Sequence, residues 1–218
     1  MACPVEIEFA VDMRSEPMEF CVLQIRPIIA DESYQGVVID AEHQEDAICY
    51  SPKTMGNGTI LGLHDLIYVR PDSFDPAHTR RIAEQISVMN ANLRKEGRRY
   101  ILIGPGRWGS ADPWLGIPVT WEQVSAAQVI IETSLEGFTI TPSQGTHFFQ
   151  NLTSFRIGYL TVNPTTGGGS VDWDWLAAQK PVETTDFLTR LHVADPIEIR
   201  LDGRSRQGVV FKPAPSVD

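Results

Sequence analysis

The 218 residues carry a net charge of −10, which argues against broad nucleic-acid binding, because that depends on a basic surface. An apolar share of 42% and a charged share of 21% fit a globular chain of one sizeable domain or two small ones, and no apolar run approaches the roughly 20 residues of a membrane span. Cys3, Cys21 and Cys49 lie far apart with no C-x-x-C pair, which points to reduced thiols in a cytoplasmic protein and away from a disulfide framework or a zinc site.

The chain opens on two alternating apolar/polar runs, residues 5–11 and 20–27, separated by a turn containing Glu16 and Pro17. This is the pattern of a β-hairpin. Glu6 and Glu8 lie two apart and share one face of the first strand, as Gln24 and Arg26 do on the second. If the register brings those faces together, two carboxylates, an amide and a guanidinium converge on one patch. Carboxylate and amide oxygens suit Mg²⁺, and an Arg suits bidentate contact with a phosphate. An ordinary edge hairpin with a cross-strand Glu–Arg pair would show the same pattern.

A polar stretch, residues 31–35, marks a boundary near residue 30. Short strands are expected at 36–40 and 46–50, a Gly/Asn loop at 53–59 and a strand at 65–70. Residues 76–96 make the clearest helix: Ile82, Ile86, Met89 and Leu93 recur at helical spacing, Asp75 is an N-cap candidate with Pro76 at N1, and Gly97 follows the basic end Arg94-Lys95. The apolar strand 99–103 then completes a strand–helix–strand order typical of a βαβ crossover. Further strands are expected at 128–132 and 156–163, short helices at 147–154 and 172–179, and a closing hairpin, 197–201 with 208–212, turning at Asp202-Gly203. The fold class is therefore α/β, a mixed sheet with flanking helices, preceded by the N-terminal hairpin.

A second constellation follows strand 99–103, where open α/β sheets place ligand sites. Its string is Gly104-Pro105-Gly106-Arg107-Trp108-Gly109-Ser110-Ala111-Asp112-Pro113-Trp114. The glycines permit close approach to a ligand, Arg107 could hold an anion, and Asp112 could orient Arg107 or cap the next turn. The string is neither a P-loop nor a G-x-G-x-x-G that opens a helix, and a rigid Gly/Trp turn would explain it equally well. Gln144 and His147 in a later polar segment complete a candidate anion site, with His147 also a candidate acid/base.

These strings carry a family resemblance. The pair EIEFAVD and VLQIRPI resembles the closing hairpin of the ATP-grasp nucleotide-binding domain in the phosphoenolpyruvate synthase and pyruvate phosphate dikinase family. The strings ILIGPGRWGSADPWLGIPVTW and PSQGTHFFQNLTSF resemble the region that follows the ATP-grasp part in phosphoenolpyruvate synthase-like proteins. The resemblance implies that Glu8 and Gln24 hold Mg²⁺, that Arg26 meets the ATP phosphates, and that Glu6 belongs to the same ATP-binding face. It also implies that residues 1–30 end an ATP-grasp domain, whose remainder in a longer protein is the partner, and that 31–218 form an α/β accessory domain. The chain has no phosphorylatable-His motif and no room for a pyruvate barrel. It is thus expected to supply Mg–ATP contacts within a larger phosphotransferase, with no activity alone. The alternative is a regulatory or structural module that binds a small anion. Neither reading involves nucleic acid or a membrane.

Overall fold

The computed structural model describes residues 5–27, 37, 39, 45–138 and 147–213. The chain divides into two compact units, Met1–Gln35 and Gly36–Asp218.

The first unit is an antiparallel hairpin of β1 (Val5–Asp12) and β2 (Glu19–Pro27). Asp12 closes the turn: its Oδ1 accepts from the backbone N–H of Arg14 at 2.9 Å, and its Oδ2 accepts from the Arg14 guanidinium at 3.1 Å. The same hydrogen bonds hold the Asp12 carboxyl below its ordinary range. A bulge opens where Glu8 pairs with Gln24 but Phe9 pairs with Val22, which leaves Leu23 as the extra residue. The bulge keeps Ile7, Phe9, Val11, Phe20, Val22 and Ile25 in one set of cross-strand partners, and the Phe9 and Phe20 rings lie 4.9 Å apart.

The second unit is mostly strand. In chain order it runs β3 (Ala47–Ser51), β4 (Thr54–Met55), β5 (Gly58–Val69), α1 (Thr79–Lys95), β6 (Tyr100–Pro105), β7 (Arg107–Trp108), β8 (Gly116–Ile117), β9 (Ala127–Thr133), α2 (His147–Ser154), β10 (Gly158–Val162), β11 (Ser170–Val171), α3 (Trp173–Ala178), β12 (Pro181–Thr184), β13 (Leu188–Asp202) and β14 (Gln207–Phe211). Ten of these strands form one mixed sheet, ordered β11-β3-β14-β13-β5-β6-β9-β10-β4, with β12 added on β13. Strands β5, β6, β9 and β10 are parallel neighbours, and the other pairs are antiparallel. Two residues, Pro52 and Lys53, join β3 to β4, so strands far apart in the sheet order are close in the chain. The sheet must therefore curl. Ser51 Oγ donates to the Thr161 carbonyl at 2.6 Å, the Thr161 N–H donates to the Lys53 carbonyl at 2.9 Å, and the Thr54 N–H donates to the Arg206 carbonyl at 2.9 Å, which ties the two ends together.

Curling buries both faces of the parallel strands. On β6, Ile101 and Ile103 join an inner cluster with Ile48, Leu66, Ile131 and Leu191, while Tyr100 and Leu102 join an outer cluster under the helices. This is why the strand reads as continuously apolar. On α1 the stripe Ile82, Ile86, Met89 and Leu93 is fully buried against that outer face. Each such side chain is worth roughly 1.5–3 kcal/mol, more than helix propensity supplies. The crossover β5–α1–β6 follows the expected order, but Asp75 caps a 3₁₀ turn, Pro76–His78, ahead of the α-helix, its Oδ1 accepting from the Ala77 N–H at 2.8 Å.

Three expectations are corrected. The expected loop at 53–59 contains β4, and β5 begins at Gly58 instead of residue 65, because pairing with β13 extends it past its glycines. The closing hairpin turns over residues 203–206, not a two-residue turn, with Arg206 at φ 62°. Val37 and Ile39 are in no strand, and the rest of the expected strand 36–40 lies outside the described residues. No described helix is long and apolar enough to cross a membrane.

Candidate functional site

The hairpin places its four candidate residues in two directly opposed pairs, Glu6 with Arg26 and Glu8 with Gln24. Opposed residues in an antiparallel pair share a face, with Cβ atoms about 4.5–5.5 Å apart. Glu6 and Glu8 are about 7 Å apart along the strand. Glu8 and Gln24 are exposed; the side chains of Glu6 and Arg26 lie outside the described residues. The register sets the four positions on one face, and the two described side chains there, Glu8 and Gln24, are oxygen donors suited to a hard cation. Among the described residues no group of three or more His, Cys, Asp or Glu side chains could hold a metal ion. A cation on Glu8 and Gln24 would complete its shell with water and substrate oxygens, which is how Mg²⁺ is ordinarily held.

The Gly/Trp segment is built otherwise. Arg107 in β7 pairs with Gly116 in β8, and the Arg107 N–H donates to the Leu115 carbonyl at 2.8 Å. A side chain at Gly116 would sit on the Arg107 backbone. A Cβ at Gly104 would meet the Trp108 ring at 2.5 Å, and one at Gly109 would meet Phe148 Cβ at 2.8 Å. Gly106 and Gly109 have φ of 74° and 81°, a conformation that glycine adopts without strain. The space in front of these glycines is filled by protein. Asp112 caps the turn into β8: its Oδ1 accepts from the Trp114 N–H at 3.0 Å, and its carbonyl accepts from the Leu115 N–H at 3.0 Å. Arg107 is half-buried. Gln144 lies outside the described residues, and His147 is described only as the first residue of α2.

Two buried carboxylates carry structure that no motif in the chain announces. Glu132 lies near the end of β9, fully buried; Oε1 accepts from the Trp108 N–H at 3.0 Å, and Oε2 accepts from Tyr159 OH at 2.5 Å. The Trp108 indole donates to the Ile131 carbonyl at 3.1 Å. Together these bonds fasten β7 to β9 and β10. The available signal is an acidic residue closing the apolar run Val129-Ile130-Ile131, since a buried polar group needs hydrogen-bond partners. Asp65, 2% exposed on β5, is held by Arg98 at 2.5 Å and by Arg190 at 3.3 Å. The Arg98 guanidinium also lies 2.6 Å from His192 Nδ1. The same ring nitrogen lies 3.6 Å from Asp65 Oδ2, so His192 borders the cluster.

The hairpin face and the β6–β8 loop are the two places where the chain's distinctive strings are displayed. No protein-family description, curated protein or solved structure matches the chain.

Proposed function

We propose that these residues form the C-terminal segment of a phosphoenolpyruvate synthase-like, ATP-dependent phosphotransferase of the cytoplasm. The hairpin contributes one wall of its Mg–ATP site. The observation that supports this reading is the register: Glu6 opposite Arg26 and Glu8 opposite Gln24 gather the four hairpin candidates on one face. On this reading Glu8 and Gln24 hold Mg²⁺, which neutralises phosphate charge when bound. Arg26 orients the phosphates through its paired N–H groups, and Glu6 belongs to the same ATP-binding face. The remaining walls come from the rest of an ATP-grasp domain in a longer protein. The unit Gly36–Asp218 is an accessory domain, and the segment does not transfer phosphate alone.

The test is calorimetric titration of Mg·ATP into the longest natural form of the protein that contains these residues. Glu8→Ala and Arg26→Ala should each weaken binding by at least about tenfold, or 1.4 kcal/mol, and lower turnover with it. Unchanged affinity and turnover in both variants would refute the assignment.

A further inference from the structure

The chain is strongly acidic overall, yet Arg94-Lys95-Glu96-Gly97-Arg98-Arg99 sets four cations against one carboxylate within six residues. This segment is the turn from α1 into β6. It is rigidly made: the Glu96 N–H donates to Asn92 O at 3.1 Å, the Gly97 N–H to Arg94 O at 3.1 Å, and the Arg98 N–H to Leu93 O at 2.9 Å. Three depressions of about 390, 420 and 380 Å³ surround it. Arg94 borders the first two, and Arg98, Arg99 and Gly97 border the last two, so adjoining hollows share these walls and form the groove around the turn. A Cβ at Gly97 would meet nothing within 4 Å, so the groove is open there.

The cations differ in what they are already doing. Arg98 is committed to Asp65 and Glu96. Arg94 and Lys95 form no ion pair among the described residues, and Arg99 donates to the Ser125 carbonyl, a neutral partner, at 3.0 Å. Glu122 is the one carboxylate lining the two depressions that Arg94 borders. Cations in a last helical turn commonly complement the helix dipole, which accounts for Arg94 and Lys95 singly. It does not account for Arg99, just ahead of the next strand, beside the same hollow. Trp121 forms part of the wall, its ring stacked at 5.1 Å on Phe155 and therefore held in place.

We propose that this groove binds a diphosphate-bearing anion, with the Arg94 and Arg99 guanidiniums taking phosphate oxygens in pairs and Lys95 adding a point charge. The spread of cations over adjoining depressions favours two linked phosphates over one. The aromatic wall leaves room for the base of a nucleoside diphosphate. The site needs no metal and lies wholly within Gly36–Asp218.

Calorimetry and ³¹P NMR on the full chain, in EDTA at low salt, with inorganic pyrophosphate and separately with ADP, test the proposal. EDTA silences any metal-dependent binding at the hairpin. Saturable binding is expected, weakened at least about tenfold in Arg94→Glu/Arg99→Glu, which should keep the parent's circular dichroism spectrum with only a small drop in melting temperature, since the exposed pair gives up one helix-end charge and the Arg99–Ser125 hydrogen bond. Arg80→Glu/Arg81→Glu makes the same charge change at the other end of α1 and should leave affinity within about threefold. Tighter binding of ADP than of pyrophosphate assigns the ligand as a nucleotide; equal binding assigns the diphosphate alone. Absence of binding by the parent chain at millimolar pyrophosphate and ADP, or equal losses in the two double variants, overturns the proposal.

Discussion

In the hairpin, Ile7, Phe9 and Ile25 remain 47, 54 and 56% exposed, whereas Ile101, Trp108 and Ile117 of the β6–β8 region are at most 1% exposed. Both regions carry apolar residues on strands, and both carry charged residues between them. The difference lies in what covers them. The curled sheet supplies its own cover: one face of β6 looks into the curl and the other meets α1. On the hairpin's polar face Glu8 and Gln24 stay exposed, with nothing of the strand pair covering them. In the β6–β8 loop, by contrast, glycines, indole and the Glu132 carboxylate are committed to packing. Residue type alone therefore does not separate a ligand site from a packing joint. The atoms in front of each residue do.

That contrast can be broken most severely at Gly116. A methyl group there would collide with the Arg107 backbone, which cannot step aside as a side chain can. Gly116→Ala should cost about 3 kcal/mol or more, or prevent folding of the second unit, as read by urea melts with far-ultraviolet circular dichroism. Asp65→Ala comes next, at about 3–5 kcal/mol, because Arg190, with its side chain 7% exposed, would be left as a buried charge without its main partner. An Asp65→Leu/Arg190→Met double variant should recover much of that loss, and a double variant no better than Asp65→Ala would show that burial of the pair is not the cause.

Changes on the hairpin face should act oppositely. Glu8→Gln alters an exposed side chain and should leave stability within about 0.5 kcal/mol of the parent while affecting metal-dependent binding. A large loss of stability would place Glu8 in a packing role and erase the distinction between the two regions.

The smallest effect concerns Asp172. Lys212, at 2.7 Å, and the Trp175 N–H, at 2.9 Å, hold its carboxyl below the ordinary value. A lowered folded-state value adds stability above the unfolded value near 4, and that stability is lost as pH falls through the folded value. Asp172→Asn should therefore lower stability by less than about 1 kcal/mol at pH 7, with parent and variant converging in acid melts below about pH 4. A difference that persists at low pH would exclude the charge as its source.

Elements fixed by local pattern are legible in the sequence. The stripe on α1, the alternation of β1 and β2, and the apolar runs of β6 and β9 each contain their own signal within a dozen residues or so. The illegible parts depend on partners distant in the chain. β5 extends back through Gly58 because β13 pairs with it there, and Thr59 alone announces no strand. Glu132 gives little sign of its role because its partners, Trp108 and Tyr159, lie far to either side of it in the chain. The Asp65 cluster draws on β5, the α1–β6 turn and β13, and no spacing rule joins those. At the β6–β8 string the residue types are legible, but the choice between ligand approach and packing depends on Phe148 and Trp108 filling the space.

The seal between Ser51 and Thr161 joins residues 110 apart in sequence. A sheet whose early and late strands meet through contacts of such sequence separation cannot be finished from its early strands. During synthesis β3 must wait for β11 and β14 before either of its neighbours exists, so the closing step comes late and is all-or-none. High sequence separation of this kind slows folding and lengthens the time for which open strand edges are offered to other chains. Once closed, the same seal holds β3 against β10, and the strands left at the ends of the order, β11 and β4, are two residues long each, which gives the folded unit little edge there with which to recruit a neighbour.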